Sequence, residues 1–101
     1  MKAALIDDNE SHRAIMSAMF SCIDTYPSHT IDLSSYDIIF IDYMLGEING
    51  LFVAREIQRK RPEKKIYILT GYDLSCEFDV IHKNDIASIR KALEIDSLSN
   101  H

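Results

Sequence analysis

Tryptophan is absent from the chain, and cysteine, proline and glycine are scarce, numbering two, two and three among 101 residues. With 47% apolar residues beside so little glycine and proline, collagen-like and low-complexity classes are excluded and an ordinary globular composition remains. Cys22 and Cys76 lie far apart with no CxxC pair, so both read as small apolar fillers of a reduced protein. His12, His29, His82 and His101 show no metal-ligand spacing and are expected at the surface or in loops. Positive charge is also short: 11 Lys and Arg stand against 16 Asp and Glu, a net charge of -5. That balance argues against nucleic-acid and anionic-membrane binding. The one basic cluster, Arg55 to Lys65, reads as the solvated last turn of a helix, where cations complement the macrodipole. No apolar run approaches a membrane span, and "MKAALIDDNE" is too short for a signal peptide. The expectation is a cytoplasmic protein of one domain, residues 1–101, with a core over about 2–95 and a tail over 96–101.

What the chain does contain is an alternation of strand and helix signals. "AALI" (3–6) is a short apolar run that stops at Asp7 and Asp8, as a buried parallel strand does. Ala14, Ile15, Ala18, Met19, Cys22 and Ile23 recur at helical spacing, capped by Asn9 or Ser11, and Pro27 closes that region. "HTIDL" (29–33) reads as a weak strand, and "DIIFI" (37–41) as the strongest strand, apolar on both faces. Gly46 and Gly50 bracket a loop, and Leu51, Ala54 and Ile57 then mark a helix that Pro62 ends. "KIYILT" (65–70) and "FDVIH" (78–82) are strands separated by a loop. Asn84 or Asp85 caps a closing helix with Ile86, Ile89 and Leu93 on one stripe. Strands apolar on both faces and alternating with helices predict a mainly parallel α/β sheet.

In such sheets the site lies beyond the carboxyl ends of the strands. Here those ends carry Asp7 and Asp8, then Asp42, Thr70 and Lys83. Three converging carboxylates need a counter-charge, and a hard cation such as Mg²⁺, with Mn²⁺ as the alternative, supplies it. Lys83 can neutralise further charge or hold a phosphoryl oxygen, and Thr70 can donate its hydroxyl to one. Asp42, lying centrally, can act as a nucleophile, since carboxylates form aspartyl phosphates. Taken singly, Asp7-Asp8 is as well explained by helix capping, Thr70 by strand-to-loop chemistry and Lys83 by solvation; the order of all five is what those explanations do not produce.

The stretches "ALIDDNESHRAIM", "YDIIFIDYMLGEINGLFVAREI", "KKIYILTGYD" and "VIHKNDIASIRKAL" resemble the receiver domain of two-component response regulators. The resemblance implies a flavodoxin-like, doubly wound parallel sheet of about five strands. It implies Mg²⁺ on Asp7, Asp8, Asp42 and the backbone carbonyl of Met44, phosphorylation of Asp42, a switch hydroxyl at Thr70 and a site lysine at Lys83. The implied partner is a histidine kinase or phosphotransfer protein, with output through protein–protein contacts. Autophosphatase activity would accompany the acceptor role.

Against that family the chain departs in three ways. It is short by roughly ten residues between Asp8 and Asp42, and again between Thr70 and Lys83, so the second and fourth helices are expected to be missing or cut to a turn. Apolar sheet left bare by their loss would serve as a homodimer or docking face. Asn84 follows Lys83 where the family usually has Pro, which predicts a trans bond or a strained site. The aromatic switch position, three before the lysine, is Val80, with Phe78 two residues earlier. Met44 and Tyr72 are bulky neighbours of Asp42 and Thr70, and they predict slow autodephosphorylation. The leading expectation is a stand-alone phosphoacceptor, since nothing after Leu98 can form an output domain. The alternative is a pseudo-receiver that binds or dimerises without phosphorylation. A haloacid-dehalogenase type of hydrolase needs a second Asp two residues after the nucleophile, where this chain has Met44.

Overall fold

The computed structural model describes residues 2–99. Along the chain run β1 (Ala3–Ile6), α1 (Glu10–Met19), β2 (Ile23–Tyr26), β3 (Ile38–Asp42), β4 (Met44–Leu45), β5 (Ile48–Asn49), α2 (Gly50–Lys60), β6 (Lys65–Thr70), β7 (Asp79–His82) and α3 (Ile86–Ser99). Five of the strands form one sheet in the order β2-β1-β3-β6-β7, every pairing parallel. The chain moves outward from β1 to β2, then crosses to β3 and proceeds the other way. This reversal places the topological switch point between β1 and β3, and the carboxyl ends of those strands carry Asp7 and Asp42.

The inner strands β1, β3 and β6 are buried on both faces, which is why they read as apolar runs. Ala3, Leu5, Ile38, Phe40, Tyr67 and Leu69 face α1 and α3, packing with Met16, Phe20, Ile89, Ala92 and Leu93. Ala4, Ile6, Ile39, Ile41, Ile66 and Ile68 face the opposite way, toward Val53, Ala54 and Ile57 of α2. Each helix start has a named cap. Asn9 accepts from the His12 amide at 3.0 Å, and Asn49 accepts from the Leu51 amide at 2.7 Å. Asp85 accepts from the Ser88 amide at 3.1 Å. No helix among the described residues is long and apolar enough to cross a membrane.

Four expectations are corrected. The second strand is Ile23–Tyr26, not residues 29–33. Helix α1 ends at Met19, where the Phe20 amide closes on the Met16 carbonyl at 3.0 Å, and Ile23, Thr25 and Tyr26 then pair with β1 until Pro27, which has no amide to donate. The buried stripe of α1 is also rotated: His12 and Met16, followed by Phe20, face the core, while Ile15 and Met19 are exposed. The tail expected from residue 96 is helical through Ser99, and residues 100 and 101, with His101, lie outside the described residues.

The fourth correction concerns the face without helices. No helix occupies 27–37 or 71–78, as expected from the short spacings, yet the sheet beneath is not bare. Leu33 and Tyr36 from the first connection, and Phe78 from the second, are themselves buried against Ile6, Ile39, Ile41, Ile66 and Ile68, with Ile31, Leu74 and Cys76 packed beside them. Both connections are fastened. The Tyr36 hydroxyl donates to Asp24 at 2.7 Å and meets the Tyr26 hydroxyl, and Lys64 donates to the Ser34 carbonyl at 3.1 Å. Burial, followed by the bonds to Tyr26 and Asp24, pushes the Tyr36 phenol up from its ordinary value. On the other side, Arg55 of α2 forms a forked pair with Glu77 at 2.7 and 3.0 Å. That pairing holds the Glu77 carboxyl down at about 2. Two short loops thus do the covering that two helices would do, and the premise of a bare homodimer face is removed.

Candidate functional site

Five side chains named from the strand ends come to one edge of the sheet. Asp7 follows β1 and is fully buried; Asp8, beside it, is exposed. Asp42 ends β3 and Thr70 ends β6, both buried. Lys83 follows β7, and its amide donates to the Thr70 carbonyl at 3.0 Å. One carboxylate oxygen from each of Asp7, Asp8 and Asp42 lies within 4.8 Å of the others. The Lys83 amine reaches Asp42 Oδ2 at 3.4 Å.

The backbone around Asp42 is tightly held. Its Oδ1 accepts from the Met44 amide at 3.2 Å, which keeps the backbone of residue 44 beside the carboxylate. The Tyr43 amide donates to the Leu69 carbonyl at 2.8 Å, and the Tyr43 carbonyl accepts from the Gly50 amide at 2.7 Å. Residues 44–49 form a small antiparallel hairpin, Met44 opposite Asn49 and Leu45 opposite Ile48, where the sequence read only a loop. Gly46 turns it at φ 62°, a left-handed conformation that glycine adopts without strain, beside Asp8. Thr70 Oγ1 accepts from the Tyr72 amide at 3.1 Å. The Lys83–Asn84 bond is trans, since no cis peptide occurs among the described residues.

Burial raises the Asp42 carboxyl above its ordinary value, and the hydrogen bond and charge of Asp7 add to that, against the opposing pull of the Met44 amide and Lys83. Burial also pushes Asp7 upward, but His12, the Asn9 amide and Asp42 outweigh it, and Asp7 stays below the usual carboxylate range. Asp42 is therefore the member of the pair that most needs an added cation to be ionised. Three hard oxygen donors converging with open access at Asp8 suit a divalent cation of the Mg²⁺ class.

Sequence reasoning missed His12, which it placed at the surface. It is buried, its Nδ1 bonded to Asp7 Oδ2 and its Nε2 donating to the Lys83 carbonyl at 3.3 Å. The bond to Asp7 holds the imidazole above its ordinary pKa. A signal was present: His12 lies four residues before Met16 and eight before Phe20, on what proves to be the buried stripe.

No protein-family model matches the chain. The transcriptional regulatory protein ComA of Bacillus subtilis is 36% identical over 63 residues, which is 57% of this chain and 29% of that protein. The chain therefore spans less than a third of that relative. Among solved structures, the response regulator TrrA from Thermotoga maritima, in complex with Mg²⁺-BeF, superposes with a TM-score of 0.75 at 27% identity, covering 93% of this chain and 97% of that one. In fold the chain is like response-regulator receiver domains. A CheY-like receiver domain from Methylobacillus flagellatus is similar at a TM-score of 0.72 and 25% identity, over 93% of this chain and 96% of that one. The chain has the five-stranded flavodoxin-like sheet of that fold, with helices missing from two of its connections. Val80 on β7 is half-buried, while Phe78 is committed to the core beneath the second short connection.

Proposed function

We propose that this receiver accepts a phosphoryl group on Asp42. The observation that supports the reading best is the meeting of three carboxylates within 4.8 Å, with a lysine amine 3.4 Å from the central one. Asp7, Asp8 and Asp42, with the Met44 carbonyl, would hold Mg²⁺ or Mn²⁺. When bound, the cation supplies positive charge to the acid cluster and to the incoming phosphoryl oxygens. An Asp42 carboxylate oxygen attacks phosphorus while the P–N bond of a donor phosphohistidine breaks, its electron pair going to the ring nitrogen. Lys83, a mobile point charge beside Asp42, holds a phosphoryl oxygen, and the Thr70 hydroxyl donates to another. The strands supply position, which is most of what phosphoryl transfer requires of a protein.

The donor class is a histidine kinase or phosphotransfer protein, and the output is a change in protein–protein contact. TrrA was solved with Mg²⁺-BeF, and similarity to it lends weight to the metal and the acceptor role. The test is incubation with phosphoramidate and Mg²⁺, followed by intact mass. One added phosphoryl group that is lost in Asp42→Asn supports the proposal; a wild-type chain that takes none, though folded and metal-replete, leaves the non-phosphorylated binding module as the function.

A further inference from the structure

His12 closes a ring of contacts around the site. Its Nδ1 is bonded to Asp7 Oδ2, and its Nε2 donates to the main-chain carbonyl of Lys83, 71 residues away in sequence. The Lys83 amine in turn reaches Asp42, whose carboxylate stands beside that of Asp7. The anchor end cannot swing. Asp7 Oδ1 accepts from the Asn9 amide at 2.9 Å, and the Asp7 carbonyl accepts from Arg13 at 2.8 Å. At the far end the Lys83 amide is spent on the Thr70 carbonyl, so His12 completes the hold on both sides of that residue's backbone. A lysine amine rides on a four-carbon stem, and its reach is fixed only as well as its backbone is.

We propose that His12 is a positioning residue that holds the Lys83 turn against the acid cluster, and so places the Lys83 amine on Asp42. The inference rests on the phosphoacceptor reading above. If His12 were only a packing residue between α1 and α3, beside Met16 and Phe20, an apolar side chain of similar size would serve as well. Its two ring nitrogens, each aimed at an acceptor on a different element, distinguish the two roles.

The experiment compares His12→Leu, which keeps bulk and helix propensity but neither donor, with His12→Gln, whose single amide reaches one of the two acceptors. Phosphorylation by phosphoramidate is followed at saturating Mg²⁺, in the wild-type and Lys83→Ala backgrounds. Loss of an outer partner of a metal site typically costs 10–100-fold, so His12→Leu is expected to slow phosphorylation about tenfold, with partial recovery in His12→Gln. In the Lys83→Ala background the same substitution should change the rate by less than about twofold, because coupled sites do not add. Amide spectra of the metal-free protein should show the Asn84 signal displaced in His12→Leu. An equal fold-loss in both backgrounds, or an Asn84 amide that stays in place, overturns the proposal. Should His12→Leu fail to fold, His12→Gln carries both readouts. A wild-type chain that takes no phosphate defeats the acceptor reading, while the Asn84 amide still decides the contact.

Discussion

Gly50→Ala tests how the fold holds the backbone of Asp42. Gly50 opens α2, and a Cβ there would sit 2.2 Å from the Asp42 carbonyl oxygen, 2.9 Å from Tyr43 Cα and 3.0 Å from the Asp42 carbonyl carbon. All three are main-chain atoms, so no side-chain rotation relieves the contact. Non-bonded carbons rest at about 3.5–4.0 Å, and the start of α2 must therefore move by on the order of 1 Å away from the end of β3. Overpacking of this kind costs about 1–3 kcal/mol. The better helix propensity of alanine returns at most about 1 kcal/mol. For a domain of this size 1 kcal/mol corresponds to about 4–8 °C, so Tm should fall by roughly 5–15 °C. The shift also strains the Gly50 amide bond to Tyr43, and Asp42 phosphorylation should slow with it. Thermal melts by circular dichroism check the first effect and intact mass the second. Gly71→Ala is the control, because its Cβ would meet nothing nearer than Lys83 Cδ at 3.9 Å. A Gly50→Ala protein as stable as Gly71→Ala would refute the reasoning.

Further expectations concern the covered face and the site. Leu33→Ala should cost about 2–3 kcal/mol in urea titration, a core value, although residue 33 lies in a connection; a loss under about 0.5 kcal/mol would mean that the loop is only surface. Asp42→Asn should melt above the wild type in neutral, metal-free buffer. Burial and Asp7 raise the Asp42 carboxyl, so its favourable contribution is full below the unfolded pKa and is lost as pH rises through the folded one. The advantage of Asn should accordingly shrink on acidification toward about pH 4, and an unchanged gap across that range contradicts the assignment. Met44 and Tyr72, 55% and 70% exposed, lie two residues beyond Asp42 and Thr70. On the proposed acceptor role, an acyl phosphate on Asp42 should be long-lived and Met44→Asn should shorten its lifetime; a lifetime of seconds that Met44→Asn leaves unchanged would remove the shielding role.

The site was legible because Asp7 directly follows, and Asp42 and Thr70 end, strands that the sheet buries on both faces, and Lys83 follows the edge strand beside them. Asp7, Asp42, Thr70 and Lys83 stand where apolar runs stop, and a stop in such a run is visible without coordinates. Helices α2 and α3 were legible for a similar reason: Ala54 and Ile57, and Ile89 and Leu93, are buried stripes with no polar member. The first helix was misread because its stripe contains one. His12 looks like a surface residue until Asp7 and the Lys83 carbonyl satisfy both ring nitrogens, and passing over it shifted the stripe onto Ile15 and Met19. The same shift carried the helix on through Ile23 and hid β2. Residues 29–33 then imitated a strand, since Ile31 and Leu33 alternate with polar neighbours for a different purpose, plugging the sheet beside α2. Missing helices were readable from chain length alone. What replaced them was not, because Tyr36–Asp24 and Arg55–Glu77 are tertiary pairs that spacing does not announce.

The most direct test of the central claim is the mass of the intact chain after phosphoramidate treatment, with and without Mg²⁺, in the wild type and in Asp42→Asn. The account predicts one added phosphoryl group that needs the cation, is released by hydroxylamine as an acyl phosphate is, and is absent from Asp42→Asn. A phosphoryl group retained in Asp42→Asn, or none gained by a folded wild-type chain, would contradict it.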